Sequence, residues 1–236
     1  MMNRFSHFKV LLILYLVALC AVFTAGGWVE AEESVLRIYL ARHGETDWNV
    51  QKRLQGWTDI ALNQNGEAQA KALGDVIQGI GITHIYCSTL ARSQKTAQIV
   101  SRGKIPITKM QELREQSFGK FQSMYMDGRD PAVLEEYERR SSDPNDTLDG
   151  GESLEQFYSR VKNGLDKILR ANTRGAILIV GHGGTNTQIL RSLLDLSAEQ
   201  SLKIEQANNE LYFIEVTKRK ATRLWKFMTA EHLEEL

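Results

Sequence analysis

Two apolar runs, Val35 to Leu40 and Ala176 to Val180, each read as a buried β-strand, and each leads into a histidine beside glycine. The first continues as Arg42-His43-Gly44-Glu45-Thr46, the second as Gly181-His182-Gly183-Gly184. An arginine and a histidine at a strand's end make a poor core and a good anion site. The guanidinium is a rigid fork matched to phosphate or carboxylate oxygens. The imidazole can act as nucleophile, acid or base near neutral pH. Glycine permits close approach of the backbone to a ligand. Two such strand ends point to one shared site.

The order of elements fixes the fold class. Asn65 to Ile80 reads as a helix, His84 to Cys87 as a short strand, Thr89 to Val100 as a helix and Ile105 to Thr108 as a short strand. In Ser153 to Ala171, the residues Leu154, Phe157, Tyr158, Val161, Leu165, Ile168 and Leu169 follow helical spacing. Thr185 to Leu194 reads as a helix, and Leu211 to Val216 and Arg223 to Met228 as late strands. Strands alternating with helices predict an α/β three-layer sandwich: a mostly parallel central sheet with helices on both faces. The stretch 110–150 carries one polar helix, around Pro131 to Arg140, and reads as an excursion over one end of the sheet. In open α/β sheets ligands bind beyond the carboxyl ends of the strands. Arg42, His43, Arg92 (in the turn Cys87-Ser88-Thr89-Leu90-Ala91-Arg92) and His182 all fall there.

Composition narrows the partners. The 236 residues carry 29 basic and 29 acidic side chains, so the formal net charge is zero and nothing suggests nucleic acid. Arg4 and Lys9 precede an uncharged run from Val10 to Val29, the pattern of a signal peptide, with Ala25 or Ala31 near a cleavage site. Left uncut, the run is long enough to anchor the chain in a bilayer. Residues 1–31 are therefore expected to be a signal or an anchor, residues 32–236 one exported domain, and any membrane contact to pass through residues 10–29 alone. Cys20 lies in that run and Cys87 in the body, so removing the N-terminus excludes an intrachain disulfide. Cys87 ends an apolar run and has four residues between it and Arg92, one short of the cysteine-phosphatase spacing; it reads as a buried, inert thiol. Neither G-x-G-x-x-G after the first strand nor G-x-x-x-x-G-K-[ST] occurs. The triplet Asn145-Asp146-Thr147 is a glycosylation sequon, meaningful only in a host that glycosylates exported proteins.

Two arginines and two histidines in one cleft suit a multiply charged anion, phosphate above all. Backbone N–H groups of Gly183 and Gly184, opening a helix, are expected to add donors. Neutral His43 can attack phosphorus, and the leaving alkoxide then needs a proton from a carboxylic acid. Glu45, Glu112, Glu115 and Glu152 are the candidates, with Glu152 also suited to the start of a helix. His84 and His232 read as structural or exposed.

From about residue 35 to 228 the chain resembles the histidine phosphatase superfamily, which also contains the cofactor-dependent phosphoglycerate mutases. The resemblance is carried by Arg42-His43-Gly44-Glu45-Thr46-Asp47-Trp48-Asn49, then Leu54-Gln55-Gly56-Trp57-Thr58-Asp59 with Leu62-Asn63. Ser88-Thr89-Leu90-Ala91-Arg92-Ser93, Leu113-Arg114-Glu115 with Phe118-Gly119, Gly150-Gly151-Glu152-Ser153 and Gly181-His182-Gly183-Gly184 follow in order. It implies that His43 is the phosphorylated nucleophile and Glu115 the acid, later the base for water. It implies that Arg42, Arg92 and His182 form the phosphate pocket, which Gly44, Asn49 and Gly183 border. Gln55 and Gly56 match positions near the substrate in mutases. No metal and no organic cofactor is implied; the partner is a small phosphorylated compound. One departure lies after the acid, where Phe118-Gly119-Lys120-Phe121-Gln122 replaces the Gly-Trp-Gly that the family often carries. Mutases of the family tend to carry a longer insertion here, rich in Lys and Arg. The short interval from Glu115 to Gly150, acidic in its second half, therefore favours a phosphatase over a mutase or an idle phosphate-binding envelope protein.

Overall fold

A computed structural model describes residues 34–228 and 233–235. The proposed signal or anchor segment, with Cys20, and His232 lie outside the described residues. Strand β1 (Leu36–Arg42) lies between β4 (Gly175–Gly181), parallel to it, and β5 (Glu210–Thr217), antiparallel. Beyond β4 come β2 (Ile82–Ser88) and β3 (Ile107–Met110), both parallel; beyond β5 come β6 (Lys220–Met228) and β7 (Leu233–Glu235), both antiparallel. Among the described residues this is one mixed sheet of seven strands, ordered β3-β2-β4-β1-β5-β6-β7. Its parallel half is the one expected from strand-helix alternation. Its antiparallel half begins at the β1–β5 pairing, and β5 turns into β6 through Lys218 and Arg219, both at positive φ, the hand that a two-residue hairpin needs.

The helices are α1 (Asp47–Val50), α2 (Gln64–Ile77), α3 (Ala91–Ser101), α4 (Pro131–Ser141), α5 (Leu154–Ala171), α6 (Gly183–Leu194) and α7 (Ala198–Ser201). Alternation along each strand sends side chains to two faces. Ile38, Leu40, Ile177 and Ile179 meet Phe157, Val161, Leu165 and Ile168 of α5 and Ile189, Leu190 and Leu193 of α6. Ala41, Leu178, Val180 and Cys87 meet Leu73 and Ile77 of α2 and Ala97 and Val100 of α3. These are the three expected layers, and each large apolar side chain so buried stabilises by about 1.5–3 kcal/mol. Helix α5 starts one residue later than expected because Ser153 caps it: Ser153 and Gln156 exchange side-chain and backbone bonds in a capping box. Helix α2 ends at Ile77, three residues early, where Gly79 and Gly81 take positive φ. Strand β1 runs two residues further than the apolar pattern, so Arg42 is its last residue. Residues 111–150 hold two short 3-10 turns and α4, tied by ion pairs of Lys120 with Glu136 and of Arg140 with Asp146 and Asp149.

Candidate active site

The ends of β1 and β4 place two buried histidine rings with centroids 5.0 Å apart and planes tilted by 59°. His43 N donates to Gly181 O at 3.0 Å, extending the β1–β4 pairing one residue past the strand. Its Nδ1 lies 2.7 Å from Gly44 O. A carbonyl can only accept, so Nδ1 carries the proton and Nε2 keeps its lone pair. Burial, then the Arg92 and Arg42 guanidiniums, hold this imidazole well below the usual histidine range, against a smaller opposing effect of the Gly44 bond.

His182 is the N-cap residue of α6 and holds the opposite tautomer. Its Nδ1 accepts from Arg92 Nε at 3.2 Å, so Nε2 carries the proton and donates it to Ser88 Oγ, 2.7 Å away. Burial is the main cause that keeps it neutral, followed by Arg92. Arg92, in the first turn of α3, donates Nη2 to Gly56 O at 2.8 Å and Nη1 to Thr58 O at 2.9 Å. Burial lowers the affinity of its guanidinium for the proton, while Glu115 and Asp59 work against that. Arg42 donates Nη1 to Gln206 O at 2.7 Å, and its buried Nε has no acceptor.

Four carboxylates were candidates for the acid, and the geometry separates them. Glu45 accepts from Asn63 Nδ2 at 3.0 Å. Glu112 pairs with Lys167. Glu152 is bound by Arg160, with Nε 2.6 Å from Oε1 and Nη2 2.7 Å from Oε2; it is a counter-ion and does not serve chiefly to complement a helix dipole. Glu115 alone reaches the histidine strand end: its Oε2 accepts from Gly184 N at 3.1 Å and its Oε1 from Gln116 N at 3.0 Å. A Cβ at position 184 would stand 2.5 Å from Glu115 Oε1, so a side chain there would displace the carboxylate.

Other expected residues take different parts. Gly44 is a glycine because α2 packs against it: an added Cβ would lie 2.3 Å from Gly66 O. Its N–H donates to Thr96 Oγ1 and its carbonyl accepts from His43 Nδ1, so both of its backbone polar groups have protein partners. The N–H of Gly184, expected to face the anion, is spent on Glu115. Gly183 lies beside the Arg42 guanidinium, with room for a Cβ at 3.6 Å from Arg42 Cζ. Asn49 Oδ1 accepts from Thr46 N and Oγ1 in the capping box of α1, so only its amide nitrogen can serve a ligand. Gly56 acts through its carbonyl on Arg92. Gln55 is buried, and its Oε1 has no partner.

Sequence reasoning missed the supports. Arg160 donates to the carbonyls of Glu112, Arg114 and Glu115 at 2.9, 3.0 and 3.1 Å, gripping the segment that carries Glu115. Trp57 Nε1 donates to Glu115 O at 2.8 Å. Asn208 Nδ2 donates to His43 O at 2.7 Å. Ser88 was legible as a strand-end residue, but Gln206 and Asn208 carry no sequence signal, because only the β1–β5 pairing brings their loop to the site. Among the described residues no group of three or more His, Cys, Asp or Glu could hold a metal ion, and no helix is long and apolar enough to cross a membrane.

Comparison with known proteins agrees with this geometry. Residues 38–227 match the family model described as the histidine phosphatase superfamily, branch 1. The chain is 33% identical over 157 residues to the uncharacterized phosphatase PhoE of Bacillus subtilis (strain 168), covering 66% of this chain and 76% of that protein. It is 33% identical over 177 residues to phosphoglycerate mutase-like protein 4 of Arabidopsis thaliana, covering 73% and 75%. Its fold is similar to that of the alpha-ribazole phosphatase from Shigella flexneri, with a TM-score of 0.70, 26% identity, and coverage of 79% of this chain and 93% of that one. Two buried histidines, a buried and a half-buried arginine and a clamped glutamate at the carboxyl ends of the central strands, together with a family match across most of the chain, place this protein in the histidine phosphatase superfamily, branch 1.

Proposed function

We propose that this protein hydrolyses small phosphomonoesters through a phosphohistidine on His43. The observation that carries this reading is the bond from His43 Nδ1 to Gly44 O, which leaves Nε2 unprotonated beside Arg42 and Arg92. His43 Nε2 attacks phosphorus and the ester P–O bond breaks. Glu115 gives its proton to the departing alkoxide, then takes one from the water that attacks the phosphohistidine. Inorganic phosphate leaves and His43 returns to neutral. Arg42, Arg92 and His182 supply the donors that stabilise charge on the transferring group.

Phosphoglycerate mutase is the second reading, favoured by the likeness to a mutase-like relative. Against it, Lys120, Arg129 and Arg140 of the interval after Glu115 are paired with carboxylates of that same interval. The decisive experiment is phosphate release from a panel of phosphomonoesters between about pH 5 and 8, around the histidine range, with His43→Ala in parallel. Release lost by at least about a thousandfold in the variant supports the hydrolase. Transfer between phosphoglycerates without net release supports the mutase, and phosphate binding without turnover supports an idle binder.

The same reading takes residues 1–31 as an export element, supported by Arg4 and Lys9 ahead of the uncharged run Val10 to Val29. The mass of the N-terminus recovered from cell fractions tests it: a start near residue 32 outside the cytoplasm is expected, and an intact Met1 in soluble cytoplasm contradicts export.

A further inference from the structure

A cleft of about 420 Å³ opens beside the phosphate end of the site, with Arg42, Gly183 and Gly184 in its wall. That is within the roughly 300–1,000 Å³ of small-molecule pockets. From Arg42 outward it is lined by Leu154 and Phe157 of α5 and by Leu202 and Ile204 of the loop that follows α7. The loop is built into the site, since Gln206 O holds Arg42 Nη1 and Gln206 Nε2 donates to Leu40 O at 3.0 Å. Leu202 is 59% exposed at the mouth, an apolar surface with no protein cover. Apart from Arg42, the ionisable residue in this lining is Glu205.

Resting on the phosphatase reading above, we infer that this cleft takes the alcohol half of the substrate, and that it selects an apolar alcohol free of carboxylate. A carboxylate carried on the leaving group finds no cation here beyond Arg42, which the phosphoryl group requires, and it meets the like charge of Glu205. Gln116, Thr187 and Gln188 in the wall are neutral and do not offset that charge, and rejection by like charge is as selective as attraction. Apolar carbon instead covers Phe157, Ile204 and Leu202.

The test is kcat/KM of the full chain for phenyl phosphate and hexyl phosphate against 3-phosphoglycerate and phosphoserine. At least about a tenfold preference for the first pair is expected, the low end of what one pocket contact supplies. Glu205→Lys should shrink that preference by raising turnover of the carboxylated pair. It leaves intact the backbone carbonyl of residue 205 that accepts from Tyr212 and Lys226. Leu202→Ser should lower kcat/KM for hexyl phosphate and spare 3-phosphoglycerate. Equal or better use of the carboxylated pair, or a preference that Glu205→Lys does not move, overturns the inference while phosphatase activity stands. Failure to release phosphate from all four compounds, and from the wider panel, overturns the phosphatase reading and this inference with it.

Discussion

Arg160 and Glu152 form a forked ion pair, 2.6 and 2.7 Å long, and the guanidinium also holds the carbonyls of Glu112, Arg114 and Glu115. Glu152 also accepts from Ser117 N at 3.1 Å, closing the clamp just beyond Glu115. The arrangement makes Arg160 a positioning residue. Arg160→Ala should lower kcat about 10- to 100-fold, as displacement of an acid by a fraction of an ångström does, with KM for phosphomonoesters within about twofold. Arg160→Lys should rescue little, because a point charge cannot span three carbonyls and a carboxylate. Steady-state kinetics with a vanadate inhibition constant checks this; equal loss of inhibitor binding would assign Arg160 to general folding.

The two histidines should show opposite tautomers in the free protein. Nitrogen-15 NMR of the imidazoles near neutral pH is expected to find the proton on Nδ1 of His43 and on Nε2 of His182. Ser88→Ala removes the acceptor from the His182 proton and should destabilise the fold by about 1–3 kcal/mol, the penalty of an unsatisfied buried donor. A spectrum with both histidines in the same tautomer contradicts the bonding described.

Stability should fall in acid. His43 and His182 are held well below the ordinary histidine value in the native state. Above about pH 6.5 folded and unfolded chains both carry neutral imidazoles and the pair exerts no pull. Below it the unfolded chain binds protons that the folded chain refuses, so unfolding becomes easier as pH drops until the native values are reached. Urea midpoints at about pH 7 and 5 should show the loss, and His43→Gln should reduce it. The nucleophile itself should stay neutral in the free enzyme well into acid, so the acid limb of kcat/KM should not be set by His43 near pH 6.5.

Gly44 and Gly66 pack backbone to backbone, and each would drive a Cβ into the other's segment, at 2.3 Å from Gly66 O and 2.1 Å from Glu45 O. Gly44→Ala and Gly66→Ala should each destabilise by about 1–3 kcal/mol or more, as overpacking does. Chemical denaturation checks this; a neutral Gly44→Ala would return that glycine to a ligand-facing role.

Much of this was legible before any coordinates. Unbroken apolar runs and helical spacing gave the layers, because β4 and α5 bury what their patterns say they must. Arg42, His43, Arg92 and His182 were legible because chemistry-bearing residues at strand ends stand out from an apolar run. What stayed hidden depends on long-range pairing. The register of β5 against β1 brings Gln206 and Asn208 to the nucleophile, and no local pattern encodes a register. The close packing of Gly44 was hidden for the same reason, since the helix that forbids its Cβ lies in another part of the sequence. The loop 202–207, which forms much of the wall of the cleft beside Arg42, likewise carries no local signal.

Strand β1 holds the nucleophile's anchor, and both of its neighbours come late: β4 at Gly175–Gly181 and β5 at Glu210–Thr217. A nascent chain therefore emerges with its central strand unpaired on both edges until β4 has followed, and open on one edge until β5 has. Contacts of this sequence separation close slowly and leave sticky edges open in the meantime. Catalytic competence in this protein is thus a late event of its own synthesis: a polypeptide stopped before residue 210 would carry Arg42 and His43 on an open edge, with the loop that steadies them still unmade.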